Sequence, residues 1–502
     1  MATVIYSEYA KDRQGYFFGL TGIQLGVLVA AGAPALWTLN QQQWGGLAAA
    51  IAGWALVAVL VVVPIWGRPA TGWAIAAGAY TLGRVTGWSR FRSRSSTGTA
   101  DDLATPDLPG VLHDVAIHDG PPQGVDLTRV AIIQHHASRT WAVTGAISHP
   151  GLALADPAER ASQGQGLAVL LNTCARIELV SEIQFLIRSV PDDGAERDQW
   201  LSRHQHRNAP PLARLVNEQL SGMLSQAAVR TEAFVTVIVP EYRLAREARE
   251  FGRGIDGRAR ALALVMAEVE AGLCAGMRVT GVEWLTSPQL AAAVRTGFAP
   301  GDRAGIIEAL AAAETDPGVN AEVPWAMAGP SGADLVVRHY SHDAWNSVAA
   351  TIKLPAKGAV IGALAPVLAP TEPGERRSLV VGFPILAQSV ADRQTQNAEW
   401  AADMGEQLRH KAGVKTRAKD QTMLARTRSL DAKLASGNAL VRPYAVACVT
   451  VPKTCRIAEY GRRLDASIRR AGFAPLRLDL VQDAGFAAAT IPLGISLTQT
   501  DN

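Results

Sequence analysis

The sequence predicts an α+β protein with two N-terminal transmembrane helices and a cytoplasmic body of mixed sheets with packed helices, in split-βαβ-like units. Three observations predict it. No charged residue occurs between Gln14 and Gly67, and the basic surplus is concentrated on either side of that run. Beyond it, short β-branched runs alternate with longer apolar-periodic stretches, which is how strands and amphipathic helices read.

The charge-free run is divided by the polar break Asn40-Gln41-Gln42-Gln43, flanked by Trp37 and Trp44. Each side is long enough for a bilayer, which takes about 20 residues. Residues 17–66 are therefore expected as a two-helix anchor, with helices over 17–39 and 45–66 and tryptophans at the interface. Residues 1–100 hold Lys11, Arg13, Arg68, Arg84, Arg90, Arg92 and Arg94 against Glu8 and Asp12, a net +5, whereas the rest of the chain carries −2. The positive-inside rule then places residues 1–16 and the body in the cytoplasm and the Asn-Gln loop outside, so that the chain is multi-pass at the inner membrane. A secretory signal peptide fits less well, because a second full-length apolar segment follows at once. Trp66, Trp73 and Tyr80 are spaced by seven and share one helical face, so residues 67–92 are expected as an amphipathic helix in the headgroup region.

Residues 93–124, rich in Ser, Gly and Pro, read as a linker. A first α+β unit is expected over 125–298. It opens with a hairpin at 129–133 and 140–147, followed by helix 164–178 and strand 180–189. A helix over 195–227 is broken at Pro210-Pro211, and then come strand 233–239, helix 258–275 and strand 278–285. This pattern suggests a sheet with helices on one face. A second linker, 299–332, precedes a second unit over 333–497. That unit has strands at 339–354 and 378–386, helices at 395–412 and 419–436, strand 444–451, helix 454–471 and strand 476–480. The order strand, helix, Ala-Gly turn, strand recurs at 233–285 and 444–480, which points to duplication.

The composition supports a packed core: 48 % of residues are apolar. Four cysteines (Cys174, Cys274, Cys448, Cys455) make no zinc or redox motif and read as small buried residues in a reducing compartment. Gly252-Arg253-Gly254-Ile255-Asp256-Gly257 spells a dinucleotide fingerprint. That motif needs a preceding strand, and residues 242–251 look helical, so a glycine-rich interhelical turn is expected. No P-loop and no nucleophile-elbow motif occurs, which excludes a complete P-loop ATPase and a serine hydrolase of that type. His135-His136, His204/His206 and His339/His342 lack Cys or carboxylate partners at metal-site spacing. No catalytic residue, metal or cofactor is expected. The most basic soluble stretch is 409–433, and Arg426, Arg428 and Lys433 are its candidate partner-docking residues. No aromatic is interleaved there, and no direct nucleic-acid contact is expected.

Two parts of the chain resemble known families. Tyr6-Ser7-Glu8-Tyr9, the run "GYFFGLTGIQL", two membrane helices and "WGRP" resemble PrgI-like integral membrane proteins, which accompany actinobacterial conjugation and type IV secretion-like gene clusters. The body, about 125–497, is similar in layout to the non-catalytic N-terminal half of the large type IV secretion ATPase. The stretches that carry this are "FLIRSVPDDG", "LAREAREFGRGI", "HYSHDAWNSVAATIKLP" and "DAGFAAATIPLG". In that family such a tail leads into the P-loop domain, whereas this chain stops at Asn502. The resemblance implies a non-catalytic, oligomeric structural component that contacts membrane lipids and anchors a separately encoded P-loop ATPase and other secretion-complex subunits. Two other readings remain open: an EccE-like scaffold of a type VII secretion system, and a membrane-anchored enzyme with a dispersed site.

Overall fold

A computed structural model describes residues 22–42, 44–62, 64–65, 68–123, 127–151, 155–206, 208–227, 229–354, 358–372, 374–386, 432–434 and 437–497. These fall into two compact units. One holds residues up to 89 together with 432–434, and the other holds the remainder.

The N-terminal unit is helical. Helices α1 (Gly22–Asn40) and α2 (Trp44–Val62) pack against each other across the polar break. The Trp54 indole N–H donates to the Leu28 carbonyl at 3.0 Å, close to Gly32, where a side chain would meet the ring. The faces turned outward are apolar, with Val29, Leu36, Trp37, Trp44 and Leu56 all exposed. Among the described residues, one helix is long and apolar enough to cross a membrane, Trp44–Val61, while the apolar part of α1, Gly26–Asn40, is shorter. Helix α3 (Ala70–Thr86) follows, with Trp73 and Tyr80 half-buried and the Arg84 guanidinium donating to the Tyr80 hydroxyl. The interfacial helix expected over 67–92 thus ends at Thr86, and Arg90–Arg92 is a strand instead.

The larger unit is built on one sheet of 13 strands. In chain order they are β1 (Arg90–Arg92), β2 (Val115–Gln123), β3 (Thr128–His135), β4 (Thr140–Ser148), β5 (Glu182–Pro191), β6 (Val229–Pro240), β7 (Gly281–Trp284), β8 (Gly332–Val336), β9 (His339–His342), β10 (Trp345–Lys353), β11 (Arg376–Pro384), β12 (Tyr444–Pro452) and β13 (Ala474–Arg477). Every pairing is antiparallel. The spatial order is β1-β8-β9-β10-β12-β11-β5-β6-β4-β3-β2, with β7 on β4 and β13 on β10.

This order contains the same motif twice. Strands β2 to β7 and strands β8 to β13 each run first-second-third-fifth-fourth across the sheet, and the sixth strand pairs with the third. The two fourth strands, β5 and β11, meet antiparallel at the centre, with Val380 opposite Leu186. The duplication signalled by the Ala-Gly repeat is therefore present in the topology. The stretches 125–298 and 333–497, expected as separate units, contribute to a single sheet, because β5 and β11 each carry apolar residues on both faces and neither can be an exposed edge.

Helices cover both faces of the sheet, not the single face expected. On one face lie α4 (Pro157–Ile177), α7 (Glu241–Glu247) and α8 (Gly254–Met277) over the first repeat, and α12 (Ala365–Leu368) and α13 (Ile457–Arg470) over the second. On the other lie α9 (Ser287–Phe298), α11 (Trp325–Ala328), α14 (Gln482–Thr490) and the extended tail 491–497, whose apolar residues form one core spanning both repeats. Asp156 starts α4 with a reciprocal cap, its carboxylate accepting the Glu159 N–H at 2.7 Å. Helices α4 and α8 then cross so closely at Gly166 and Gly276 that a Cβ on Gly166 would meet the Gly276 carbonyl.

Both expected linkers carry structure. Residues 93–124 include β2 and a 3₁₀ turn at Gly110–Leu112 whose Leu112 is buried, and 299–332 includes α10 (Arg303–Ala313) and α11. Apolar anchors such as Leu108 and Trp325 tie these Pro/Gly-rich passages to the core. The hairpin β3–β4 forms as expected, and so does the break at Pro210-Pro211, between α5 (Ala195–His204) and α6 (Pro211–Ala227). The helices expected at 395–412 and 419–436 lie outside the described residues, apart from a helical turn at 432–434.

Candidate docking and recognition site

Arg426 and Arg428 lie outside the described residues, and Lys433 sits in the turn 432–434, which belongs to the N-terminal unit and not to the sheet. The topology nevertheless fixes where the basic segment is inserted. It connects β11 to β12, the place in the second repeat that α5–α6 occupies between β5 and β6 in the first. In the first repeat that insertion presents apolar side chains to solvent: Trp200 on α5, and Leu212, Val216, Leu220 and Met223 along one face of α6. An exposed stripe of this size marks an interaction surface more often than a free one.

A seam of buried polar groups crosses the sheet face under the tail, and no motif reading found it. Burial pushes the Glu182 carboxyl above its ordinary range, opposed by hydrogen bonds from the Tyr444 hydroxyl at 2.6 Å, the Gln184 amide at 2.8 Å and Ser496. The Arg188 guanidinium pairs with Glu232 at 2.7 Å and donates to the Ala293 and Thr490 carbonyls. These groups hold the tail as a strap. The Thr144 hydroxyl donates to the Pro492 carbonyl at 2.9 Å, the His135 Nε2–H to the Leu493 carbonyl at 2.6 Å, and the Gln184 amide to the Ile495 carbonyl at 3.3 Å. Gly494, at φ +76°, lets the strap turn against Ala142, Thr236 and Ile238. The stretch "DAGFAAATIPLG" is thus α14 plus the start of this strap.

The histidines are structural where they are buried. Burial lowers His135 to about 4, keeping it neutral as a donor. His342, lowered by burial to about 3, donates from Nδ1 to the Phe298 carbonyl, and the Ser347 hydroxyl, itself beside Thr450, faces its Nε2 at 2.8 Å. This serine–histidine pair is sealed from solvent, with both residues at 0 % exposure, so no substrate reaches it in this conformation. His204 stacks on Trp200 at the surface. Among the described residues, no group of three His, Cys, Asp or Glu is placed to hold a metal. Cys174 and Cys448 are buried, and burial raises their thiols to about 12 and about 11. Cys274 departs from the expected burial and is exposed.

The glycine motif 252–257 joins α7 to α8, with Gly252 and Gly254 at positive φ. No strand leads into it, so its amides do not form the dinucleotide cradle. Gly257 is required for packing, because a Cβ there would strike the Gly252 and Ala248 carbonyls. An open basin of about 520 Å³ beside it is lined by Arg249, Arg253 and Arg258, and Arg258 is held by Glu241 and stacks on Trp141.

A smaller cavity, about 180 Å³, opens at the end of the two central strands. Val190, Pro191, Asp192 and Asp193 of "FLIRSVPDDG" line it with Trp345 of "HYSHDAWNSVAATIKLP", so two of the stretches that carry the resemblance converge there. Arg376 completes its wall, with its guanidinium 4.8 Å above the Trp345 ring and its Nε buried without a hydrogen-bond partner. Burial, then the neighbouring Arg188, hold the Arg376 guanidinium down at about 9, while Glu232 and Asp193 act the other way. Neither repeat alone makes this cavity. Set against known proteins, the chain matches no family model, and no curated protein is significantly similar to it.

Proposed function

We propose that this protein is a non-catalytic, membrane-anchored structural component of a type IV secretion-like or conjugation apparatus, and that it holds a separate P-loop ATPase at the membrane. The observation that carries the reading is the joining of an apolar helical hairpin to a duplicated antiparallel sheet whose first repeat exposes an apolar insertion. Helices α1 and α2 turn tryptophans, leucines and valines outward along a charge-free run. Surface of that kind is stable in lipid and not in water. In this proposal both helices cross the inner membrane, the polar loop at 40–43 faces out, and the body stays in the cytoplasm with the arginines at 84–94.

The sheet supplies a rigid platform, and each repeat extends one insertion between its fourth and fifth strands. The first exposes the apolar stripe of α6, and the second carries Arg426, Arg428 and Lys433. Pairing an apolar patch with a basic one suits a protein partner: the apolar area supplies affinity, and charge mainly raises the association rate. The sequence resemblance supplies the identity of that partner as a P-loop ATPase.

The experiment is co-purification of a candidate P-loop ATPase of such an apparatus, co-expressed with this chain, with Arg426, Arg428 and Lys433 each changed to Glu. The triple variant is expected to reach the membrane normally and to recover several-fold less ATPase at low salt. Full recovery by the variant would remove the basic insertion from the docking face.

A further inference from the structure

We infer that the cavity between the two repeats, walled by Arg376 and Trp345, is a recognition pocket for a carboxylate presented on a peptide, such as a partner's Glu or Asp side chain. Charge matching within the cavity points to this. Three arginines around it are already engaged: Arg188 with Glu232, Arg230 with Glu196 and Glu232, and Arg303 with Asp193 and Glu196. Arg376 has no ion pair among the described residues, and its Nε has no acceptor. A guanidinium whose Nε is buried without an acceptor, with Glu232 and Asp193 acting on it only from beyond ion-pair distance, calls for an explanation. Its Cζ lies 4.8 Å over the Trp345 ring, a cation–π contact that restrains the group beside the cavity, where its N–H donors suit a planar acceptor.

The rest of the wall narrows the ligand class. Asp192, Asp193 and Glu232 also line the cavity, so a doubly charged phosphate would be repelled more strongly than a singly charged carboxylate. Val190, Pro191, Pro300 and the Trp345 ring give apolar surface beside the cation, as suits a side chain with a methylene stem. The pocket belongs to the sheet and does not depend on what the insertions bind, so it stands or falls apart from the ATPase reading.

The test labels the full-length protein in detergent with 5-fluorotryptophan and follows the Trp345 resonance, assigned through Trp345→Phe. N-acetyl-glutamate amide should shift that resonance saturably, and inorganic phosphate at the same concentration should not. Arg376→Gln should weaken the response at least tenfold while leaving the thermal midpoint and the other tryptophan resonances in place. Asp192→Asn, which removes one negative charge from the wall, should let phosphate bind. The inference is overturned if the capped glutamate gives no saturable shift, if phosphate matches it in the unmodified protein, or if Arg376→Gln responds equally. An equal response to acetate would overturn the peptide as the source of the carboxylate.

Discussion

Tail attachment rests on a few buried polar side chains, and His135 is the one whose protonation state matters most. Its Nε2–H holds the Leu493 carbonyl, and burial keeps its folded pKa at about 4, below the ordinary 6.5. His342 is depressed in the same way, to about 3. For a histidine with a lowered folded pKa, stability is present above the unfolded value and is lost as pH falls toward the folded one. His135 alone then contributes about 3 kcal/mol of acid sensitivity between pH 6.5 and 4. Glu182 acts in the opposite sense, since its raised folded pKa favours the folded state at low pH and that contribution fades as pH rises. His135→Gln keeps an N–H donor and removes the titration, so its denaturation midpoint should fall less steeply than the unmodified protein's between pH 6.5 and 4. Parallel profiles would show that His135 does not carry the sensitivity. None of this was legible in "IIQHHASRT" or "VSEIQFLIR", because burial is imposed on these residues by a strap more than 300 positions away. The pairing of Arg376 with Trp345 was hidden because β10 and β11, which carry them, are set apart in the sheet by β12 from much later in the chain, while Arg426, Arg428 and Lys433 were visible as a run of charge.

Among the elements, the crossing of α4 and α8 makes the sharpest demand on sequence. Gly166 and Gly276 touch backbone to backbone, and a Cβ on Gly166 would strike the Gly276 carbonyl oxygen. Gly166→Ala must push the helices apart and should destabilise the body by about 1–3 kcal/mol, as overpacking does. Gly222, exposed on α6, is the control, because a Cβ added there would meet no other element within 4 Å. Gly222→Ala should be neutral or slightly stabilising, because alanine favours the helix. Thermal midpoints of the two variants check this, and equal midpoints would contradict the close crossing. Elements with a local signal were readable: the β3–β4 hairpin, the Pro210-Pro211 break and the strands "AFVTVIV" and "YAVACVTV". Shorter ones were not. "RFR" at Arg90–Arg92 forms a strand only because β8, some 240 residues later, offers it an edge, and α10 was masked by the Gly and Pro around it. Placement of helices on both faces was equally invisible, since α9 and α14 differ from α4 and α8 in destination and not in pattern.

For the whole molecule, duplication explains why an even body came from two stretches that look separable in sequence. Each repeat leaves its fourth strand with an apolar edge, and each is completed by the other at β5 and β11. The Ala-Gly repeat at 233–285 and 444–480 disclosed the copying, but the joining of the copies depends on pairs about 190 residues apart and has no local trace. The apolar N-terminal run was the most legible feature, because absence of charge over residues 14–67 is a property of composition alone. The most direct measurement of the central claim is accessibility to a membrane-impermeant maleimide in intact cells. Cys274, exposed on α8, is a native reporter for the body, and Gln42→Cys reports on the polar loop. The proposed topology predicts labelling at position 42 in intact cells and labelling of Cys274 only after the membrane is permeabilised. Labelling of Cys274 in intact cells, or protection of position 42, would contradict it.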